Sequence, residues 1–145
     1  MGASLQGRRV LIAEDEPLIA LDIRLAFEDE GARVIRAHTL NEALLAAEDP
    51  PLSAAILDHA FSDGDSSKVC VRMKEHTIPF VTYSGYDHLA GICRGGVHVK
   101  KPARMSVLVA TVKGLLAQCQ FSNRSLPEGT GRLRERVTCT TGRLL

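Results

Sequence analysis

Short apolar runs alternate with stretches of helical periodicity along most of this chain. Five runs are brief enough to be strands, at positions 10–13, 32–37, 53–57, 79–83 and 97–99. Runs that are apolar at consecutive positions, rather than at every second position, are typical of strands covered on both faces. The pattern therefore indicates a buried sheet, with the run at 32–37 as its most polar strand.

The segments between these runs place apolar residues at helical spacing. The first helix is predicted from Pro17, which suits a first helical turn, and Gly31 is its expected stop. The second begins at residues 39–42, which have the form of a capping box. Further helices are predicted near 69–76, at 89–93 with at most two turns, and at 107–116.

Five strands that alternate with five helices predict a doubly wound α/β fold with a five-stranded parallel sheet. In such sheets, ligands bind beyond the carboxyl ends of the strands. The fourth helix is expected to be short or irregular. The segment between Ser84 and Lys101 must hold this helix together with the fifth strand, and two adjacent glycines, Gly95 and Gly96, occupy part of it.

Composition narrows the class of protein. The chain has 145 residues, 45% hydrophobic and 24% charged, which fits one folded domain and excludes bulk disorder. No apolar run approaches the roughly 20 residues that span a bilayer, so no membrane association is expected. Residues 1–9 lack the apolar segment of a secretory signal, so we expect a cytoplasmic protein whose four cysteines are reduced.

The net charge of +1 is the sum of unlike parts. Residues 122–145 contain five arginines and two glutamates, a net of +3, which leaves −2 for the rest of the chain. We therefore expect a folded domain over residues 8–121 and a flexible basic tail over 122–145. The tail is far too short for a helix-turn-helix effector domain, and the near-neutral total argues against direct nucleic-acid binding.

Chemically capable residues follow the predicted strands at the edge where ligands bind. They are Glu14 and Asp15 after the first strand, Asp58 after the third, Ser84 after the fourth and Lys101 after the fifth. Three carboxylates from two strands form an oxygen-rich cluster that suits Mg²⁺, and they repel one another unless a cation neutralises them. A hydroxyl and an ammonium group beside a metal ion are what a phosphoryl group requires.

Four segments in this order resemble the receiver domain of response regulators, the phospho-accepting half of two-component signalling. They are VLIAEDEP at 10–17, ILD at 56–58, FVTYSG at 80–85 and KP at 101–102. The resemblance extends over about residues 9–120. It implies a flavodoxin-like sheet with strand order 2-1-3-4-5.

The resemblance also implies roles for individual residues. Asp58 would be the phospho-acceptor, with Lys101 paired to the phosphoryl oxygens and Ser84 as the switch hydroxyl. Mg²⁺ would be held by Glu14, Asp15, Asp58 and the backbone carbonyl of Ala60. The phosphoryl donor would be a phosphohistidine on a sensor histidine kinase or a histidine phosphotransfer protein. The output would come from an unknown downstream protein target or from phosphate shuttling, and a homodimer is left open.

One position departs from the family pattern. The switch aromatic, three residues before the lysine, is replaced by His98. A histidine could fill the aromatic position and add pH sensitivity, or the usual coupling between hydroxyl and aromatic ring could be absent. Tyr83 and Tyr86 are alternative partners.

Simpler interpretations exist for each site residue. Glu14, Asp15 and Glu16 could serve only as N-terminal capping residues of the first helix. Thr82 is an alternative hydroxyl and Lys100 an alternative cation. Strand alternation favours Lys101 over Lys100, and it places Thr82 on the same face as Ser84 but deeper in the strand.

Two other functions compete with a stand-alone phospho-acceptor that is not an enzyme. A haloacid-dehalogenase-type phosphatase would use a similar set of side chains. Its nucleophile lies in an Asp-x-Asp motif on the first strand, however, where this chain has Glu14-Asp15-Glu16. A receiver-like interaction module without phosphorylation would not need the acid, hydroxyl and lysine set.

Overall fold

The computed structural model describes residues 4–48, 51–61, 63–85 and 96–124; the side chains of residues 60, 65 and 119–124 are not described. Seven strands and four helices lie in this part of the chain. The strands are β1 (Arg9–Ala13), β2 (Arg33–Ala37), β3 (Ala54–Leu57), β4 (Ala60–Phe61), β5 (Gly64–Asp65), β6 (Phe80–Ser84) and β7 (Val97–Lys100). The helices are α1 (Pro17–Asp29), α2 (Leu40–Glu48), α3 (Ser67–Glu75) and α4 (Met105–Arg124).

Five of the strands form one parallel sheet in the order β2-β1-β3-β6-β7. Counted along the chain without the small hairpin β4–β5, this is the predicted order 2-1-3-4-5, so the predicted fold class is confirmed. The chain runs outward from β1 to β2 and then returns past β1 to β3. The order reverses at this point, so the carboxyl ends of β1 and β3 form the switch point where open α/β sheets bind ligands.

Strand alternation divides the core into two layers, one on each face of the sheet. Leu11, Leu57 and Phe80 point into the layer covered by α2 and α3, whereas Ile12, Ile56 and Val81 point into the layer covered by α1 and α4. All six side chains are 2% exposed or less. The central strands β1, β3 and β6 are thus buried on both faces, as their unbroken apolar runs predicted.

The two predicted helix starts differ in their chemistry. At α2 the predicted capping contacts form with one difference: the Glu42 amide donates to Thr39 Oγ1 at 3.1 Å, but Glu42 Oε1 accepts from the amide of His38, one residue before Thr39, at 2.7 Å. At α1, Pro17 occupies the first helical turn, and the N-cap residue Glu16 makes no side-chain capping hydrogen bond. Gly31 follows the end of α1 with a φ of +90°, which favours glycine.

Three features differ from the sequence analysis or extend it. The hairpin β4–β5 lies between residues 57 and 69, where no element was predicted. Helix α4 continues to Arg124, three residues into the segment assigned to the basic tail. Cys70, a fully buried residue of α3, is joined in a disulfide, which contradicts the expectation of a reduced thiol at this position.

Other expectations fall outside the structure as described. The predicted fourth helix at 89–93 and the tail beyond residue 124 lie in parts of the chain that are not described. Among the described helices, none has the length and apolar character needed to cross a membrane.

Candidate functional site

Two acidic residues stand side by side where β1 and β3 end. The ladder of parallel hydrogen bonds continues one step past each strand: the Glu14 amide donates to the Ala37 carbonyl at 3.0 Å, and the Asp58 amide donates to the Ala13 carbonyl at 2.9 Å. The regular sheet therefore fixes the backbone of both residues. Their side chains leave the sheet at its carboxyl edge, at the switch point of the fold.

Glu14, Asp15 and Asp58 form a compact carboxylate cluster. One carboxylate oxygen from each lies within 4.8 Å of the others. The Glu14 side chain is 3% exposed and that of Asp58 12% exposed, whereas Asp15 is exposed. The cluster is thus buried on the side of the sheet and open to solvent at Asp15, so a small ion or a phosphoryl group can reach it.

Lys101 supplies a cation to this cluster. Its backbone amide donates to the Ser84 carbonyl at 2.8 Å, which extends the pairing of β6 and β7 by one residue. Its Nζ lies 3.1 Å from Glu14 Oε1 and 3.5 Å from Asp58 Oδ1. The same ammonium lies 5.4 Å from the centre of the Tyr83 ring, within the range of a cation–π contact. Lys101, rather than Lys100, is therefore the lysine placed at the carboxylates.

The crowding of charge changes the acidity of the cluster. Burial, followed by the nearby Asp58 carboxylate, raises the pKa of Glu14 to about 7, although Lys101 opposes the shift. Burial lowers the pKa of Lys101, but its hydrogen bond to Glu14 and the charge of Asp58 outweigh this, so the net direction is upward. A single lysine is not enough to keep Glu14 fully ionised at neutral pH.

This donor set fits a hard divalent cation. Among the described residues, Lys101 is the only cation with an ion pair to the three carboxylates, so two negative charges stay unbalanced when all three are ionised. Oxygen ligands in this number and arrangement are those that Mg²⁺ takes in proteins. Burial and the neighbouring Asp58 carboxylate raise the pKa of Glu14, and a cation bound at the cluster would favour its ionised form.

Two hydroxyls lie on β6 near this edge. Ser84 is the last residue of the strand and is 1% exposed, while Thr82 is fully buried two residues earlier. Thr82 Oγ1 pairs with His98 Nδ1 at 3.2 Å across the register of β6 and β7. Because Thr82 lies deeper in the strand and is engaged by His98, Ser84 is the better placed hydroxyl for the carboxylate edge.

His98 lies on β7, three residues before Lys101, at the predicted switch position. The residue is half-buried, and its Nε2 is buried without a hydrogen-bond partner among the described residues. Tyr83 is held elsewhere: its side chain is 4% exposed in the layer under α1 and α4, and its hydroxyl accepts from the Ala103 amide at 3.1 Å. Tyr86 lies outside the described residues.

Two further predictions concern the residues around the cluster. Ala60 begins β4 two residues after Asp58, and its carbonyl stays a predicted metal ligand.

The alternative that residues 14–16 only cap α1 is weakened. Glu16 makes no side-chain cap, and Glu14 Oε2 accepts from the Glu16 amide at 3.2 Å while Oε1 lies beside Lys101.

Two contacts that support this edge were not predicted from the sequence. Asp63 accepts hydrogen bonds from the first amides of α2, and the Tyr83 hydroxyl fixes Ala103 just after Lys101-Pro102. Both contacts join residues about 20 positions apart, so no local pattern encodes them. The Asp63-Gly64 pair was visible only as a turn signal.

The raised pKa of Glu14 makes stability depend on pH. Because the folded state binds this proton more tightly than the unfolded chain does, the contribution is complete below about pH 4.5 and is lost as pH rises through about 7. We expect the wild-type free energy of unfolding to fall by roughly 1–3 kcal/mol from pH 5 to pH 8 without divalent cations. Glu14→Gln should remove most of this fall, measured by urea unfolding in chelator.

Glu16→Gln is the matched control for that experiment. It removes the same charge from an exposed side chain two residues away, so it should leave the pH dependence as in the wild type. A Glu14→Gln protein that keeps the full wild-type slope would contradict the assignment of the titration to Glu14.

Comparison with known proteins places this geometry in a family. No protein-family model matches the chain. The regulatory protein VanR of Enterococcus faecium is 29% identical over 114 residues, covering 74% of this chain and 49% of VanR. The KDP operon transcriptional regulatory protein KdpE of Escherichia coli is 31% identical over 110 residues, covering 72% and 49%. The chain thus spans about half the length of these curated relatives.

Solved structures match nearly over their full length. A CheY-like response regulator receiver domain from Methanospirillum hungatei has a TM-score of 0.70 at 23% identity, covering 77% of this chain and 94% of that domain. SdrG from Sphingomonas melonis has a TM-score of 0.66 at 31% identity, covering 76% and 97%. The receiver domain of sensor histidine kinase PA1611 from Pseudomonas aeruginosa, solved with magnesium coordinated in its active site cleft, has a TM-score of 0.63 at 20% identity, covering 73% and 94%.

Proposed function

Because the chain belongs to the receiver domains of response regulators, we propose that it accepts a phosphoryl group on Asp58 and signals through the phosphorylated form. The donor is a phosphohistidine on a sensor histidine kinase or a histidine phosphotransfer protein. The observation that carries the proposal is the cluster of three carboxylates and Lys101 at the strand ends of the switch point.

The proposed reaction is an in-line phosphoryl transfer. An Asp58 carboxylate oxygen attacks phosphorus, the new O–P bond forms, and the N–P bond to the donor imidazole breaks. The imidazole keeps the bonding electrons and takes up a proton. Later attack of water on the aspartyl phosphate releases inorganic phosphate and returns Asp58 to its carboxylate form, so the protein assists its own dephosphorylation but has no separate substrate.

Side chains around Asp58 supply the electrostatic stabilisation. The His59 amide already donates to Asp58 Oδ1 at 2.7 Å, which orients the acceptor carboxylate. Lys101, now 3.5 Å from the same oxygen, is placed to pair with the phosphoryl oxygens. The Ser84 hydroxyl would move toward the phosphoryl group and donate a hydrogen bond to it. His98 on the neighbouring strand would respond through its hydrogen bond with Thr82, which lies two residues before Ser84 on β6.

Glu14, Asp15, Asp58 and the Ala60 carbonyl would hold Mg²⁺ at this site. When bound, the ion supplies positive charge that neutralises the carboxylates and the phosphoryl oxygens. Support comes from the three carboxylates brought together with one lysine, and from the magnesium in the PA1611 receiver domain.

The wider role is also part of the proposal. The protein would act in the cytoplasm, with residues 8–121 as the receiver and residues 122–145 as a basic tail. It passes its signal to a downstream protein by direct binding or by phosphate shuttling. The curated relatives are described as regulatory and transcriptional proteins about twice the length of the matched region, so their outputs are not carried over.

Acetyl phosphate, a small phosphoryl donor, tests the proposal. With Mg²⁺ we expect the intact mass of the protein to increase by one phosphoryl group, and chelation of the metal should prevent this. A protein that instead hydrolysed small phosphate esters with multiple turnover would be a phosphatase. If neither acetyl phosphate nor a panel of histidine kinases phosphorylated it, the proposal would be wrong, and an interaction module without phosphorylation would be the better description.

A further inference from the structure

The hairpin β4–β5 follows the acceptor residue directly and lies against the start of α2. Phe61 holds the hairpin against the core, because its side chain packs in the layer under α2 and α3 and is only 7% exposed. The Ser66 amide donates to the His59 carbonyl at 3.0 Å, which closes the base of the hairpin beside Asp58. The segment that leaves the acceptor is therefore ordered by its own contacts.

Asp63, at the turn of this hairpin, makes the outer contact with α2. Its Oδ1 accepts from the Leu40 amide at 2.8 Å and its Oδ2 from the Asn41 amide at 3.1 Å. Both are amides of the first helical turn, which have no carbonyl partner inside the helix. The hydrogen bond from Leu40, with that from Asn41, lowers the pKa of Asp63, so the carboxylate stays charged over the neutral range.

The approach of the hairpin to α2 is close. Gly64, next to Asp63, has a φ of +144°, which L side chains rarely adopt. A Cβ at this position would lie 2.8 Å from Leu40 Cδ2. A side chain at position 64 would be strained at this φ and would require Leu40 to shift, so glycine favours the close approach that places Asp63 beside the two amides.

The start of α2 is in turn attached to the carboxylate cluster. The strand β2 that leads into α2 ends at Ala37, whose carbonyl accepts from the Glu14 amide at 3.0 Å. Two separate connections therefore meet at α2: the hairpin through Asp63, and Glu14 through Ala37. The hairpin begins at Ala60, two residues after Asp58, the member of the cluster that follows β3.

We propose that Asp63 is a positioning residue for the metal site, clamping the hairpin to α2 so that Ala60 and Asp58 keep their places relative to Glu14. This inference rests on the proposed function, because it assumes that the cluster binds Mg²⁺. Asp63 is exposed and its carboxylate accepts from the Leu40 and Asn41 amides, with no described hydrogen bond to the three carboxylates of the cluster, so it acts through the backbone. Mutation of groups that hydrogen-bond directly to metal ligands typically costs about 10–100-fold in metal affinity, and Asp63, one step further from the site, is expected at the low end of that range.

A merely structural role, capping α2, is the alternative explanation. Thr39 provides the matched control, because its Oγ1 accepts from the Glu42 amide at the same helix end without touching the hairpin. Thr39→Ala and Asp63→Ala both remove capping from α2 and should reduce resistance to urea comparably. Only Asp63→Ala releases the hairpin.

The test is calorimetric titration of Mg²⁺ into the full chain and its variants, without any phosphoryl donor. We expect Asp63→Ala to raise the Mg²⁺ dissociation constant about tenfold and Thr39→Ala to change it by less than about twofold. Asp63→Asn keeps one acceptor oxygen, so its Mg²⁺ dissociation constant should lie between those of the wild type and Asp63→Ala. It also serves as a second variant if Asp63→Ala does not fold. Equal affinities for the wild type and both Asp63 variants would overturn the inference. A wild type that binds no Mg²⁺ would instead overturn the proposed function.

Discussion

Asp58→Asn is expected to abolish the mass increase that acetyl phosphate and Mg²⁺ produce in the wild type. An amide oxygen is a far weaker nucleophile than a carboxylate, so no acyl phosphate can form at this position. The variant should nevertheless fold. Asp58 lies beside Glu14 and raises its pKa, so removing one of the two charges relieves repulsion in a largely buried cluster.

The same variant therefore makes a second, independent prediction about stability. Asp58→Asn should be at least as stable as the wild type at pH 8 without divalent cations, and its stability should fall less between pH 5 and pH 8. Urea unfolding at the two pH values measures this. Asp22→Asn, on the exposed face of α1, is the control that should keep both the labelling and the pH dependence of the wild type. Undiminished labelling of Asp58→Asn would contradict the assignment of the acceptor.

Lys101→Met is expected to have the largest effect on stability. Methionine keeps the length of the side chain but leaves Glu14 and Asp58 without the ammonium that lies 3.1 and 3.5 Å from them. Removing one partner from a buried ion pair costs about 3–5 kcal/mol; the 21% exposure of Lys101 places the expected loss near 2–4 kcal/mol at pH 8.

The loss should shrink as the pH is lowered. Without Lys101 the pKa of Glu14 rises further, so its protonation in the folded state removes the uncompensated charge at pH 5. Mg²⁺ should restore part of the stability at pH 8. Lys113→Met is the control, because it removes a surface pair with Glu30 at 2.7 Å between side chains that are 31% and 37% exposed. That variant should lose under about 1 kcal/mol, with little dependence on pH. Equal losses for the two variants at pH 8 would contradict a special role for Lys101.

Local pattern was enough to predict where the site residues lie in the fold. Glu14, Asp58 and Lys101 each follow a run of buried apolar residues, and parallel strands bring their carboxyl ends to one edge. Proximity at that edge is therefore a consequence of topology. Periodicity could not establish that Lys101 Nζ reaches Glu14 and Asp58 while Thr82 turns to His98, because these are choices of side-chain direction.

The features that escaped prediction have physical reasons of their own. The hairpin β4–β5 has two residues in each strand, too few for any alternation to be visible, and its stability comes from Phe61 and Asp63 in contact with distant parts of the chain. Helix α4 continues beyond Leu116, where the apolar periodicity weakens, through residues such as Ala117 and Gln118 that favour helices in themselves. The disulfide at Cys70 follows no spacing rule that sequence alone could supply.

The role of His98 depends on a hydrogen bond that the sequence did not indicate. Its pairing with Thr82 joins β6 and β7 directly below Ser84 and Lys101, so the histidine is linked to the strand that carries the proposed switch hydroxyl. This arrangement makes His98 part of the β6–β7 pair. His98 could act as the switch residue, or the usual coupling could be absent. Whether the Thr82–His98 hydrogen bond persists after phosphorylation distinguishes these two hypotheses.

The central claim is that Asp58 is phosphorylated at a Mg²⁺-dependent carboxylate site, and locating the modified residue tests it most directly. Borohydride reduces an acyl phosphate to an alcohol, so a phosphorylated aspartate becomes homoserine, which tandem mass spectrometry of a proteolytic digest can place. After treatment with acetyl phosphate and Mg²⁺, we expect homoserine at position 58 and unmodified aspartate there when the metal is chelated. A phosphoryl group found on another residue, with Asp58 unchanged, would contradict the account.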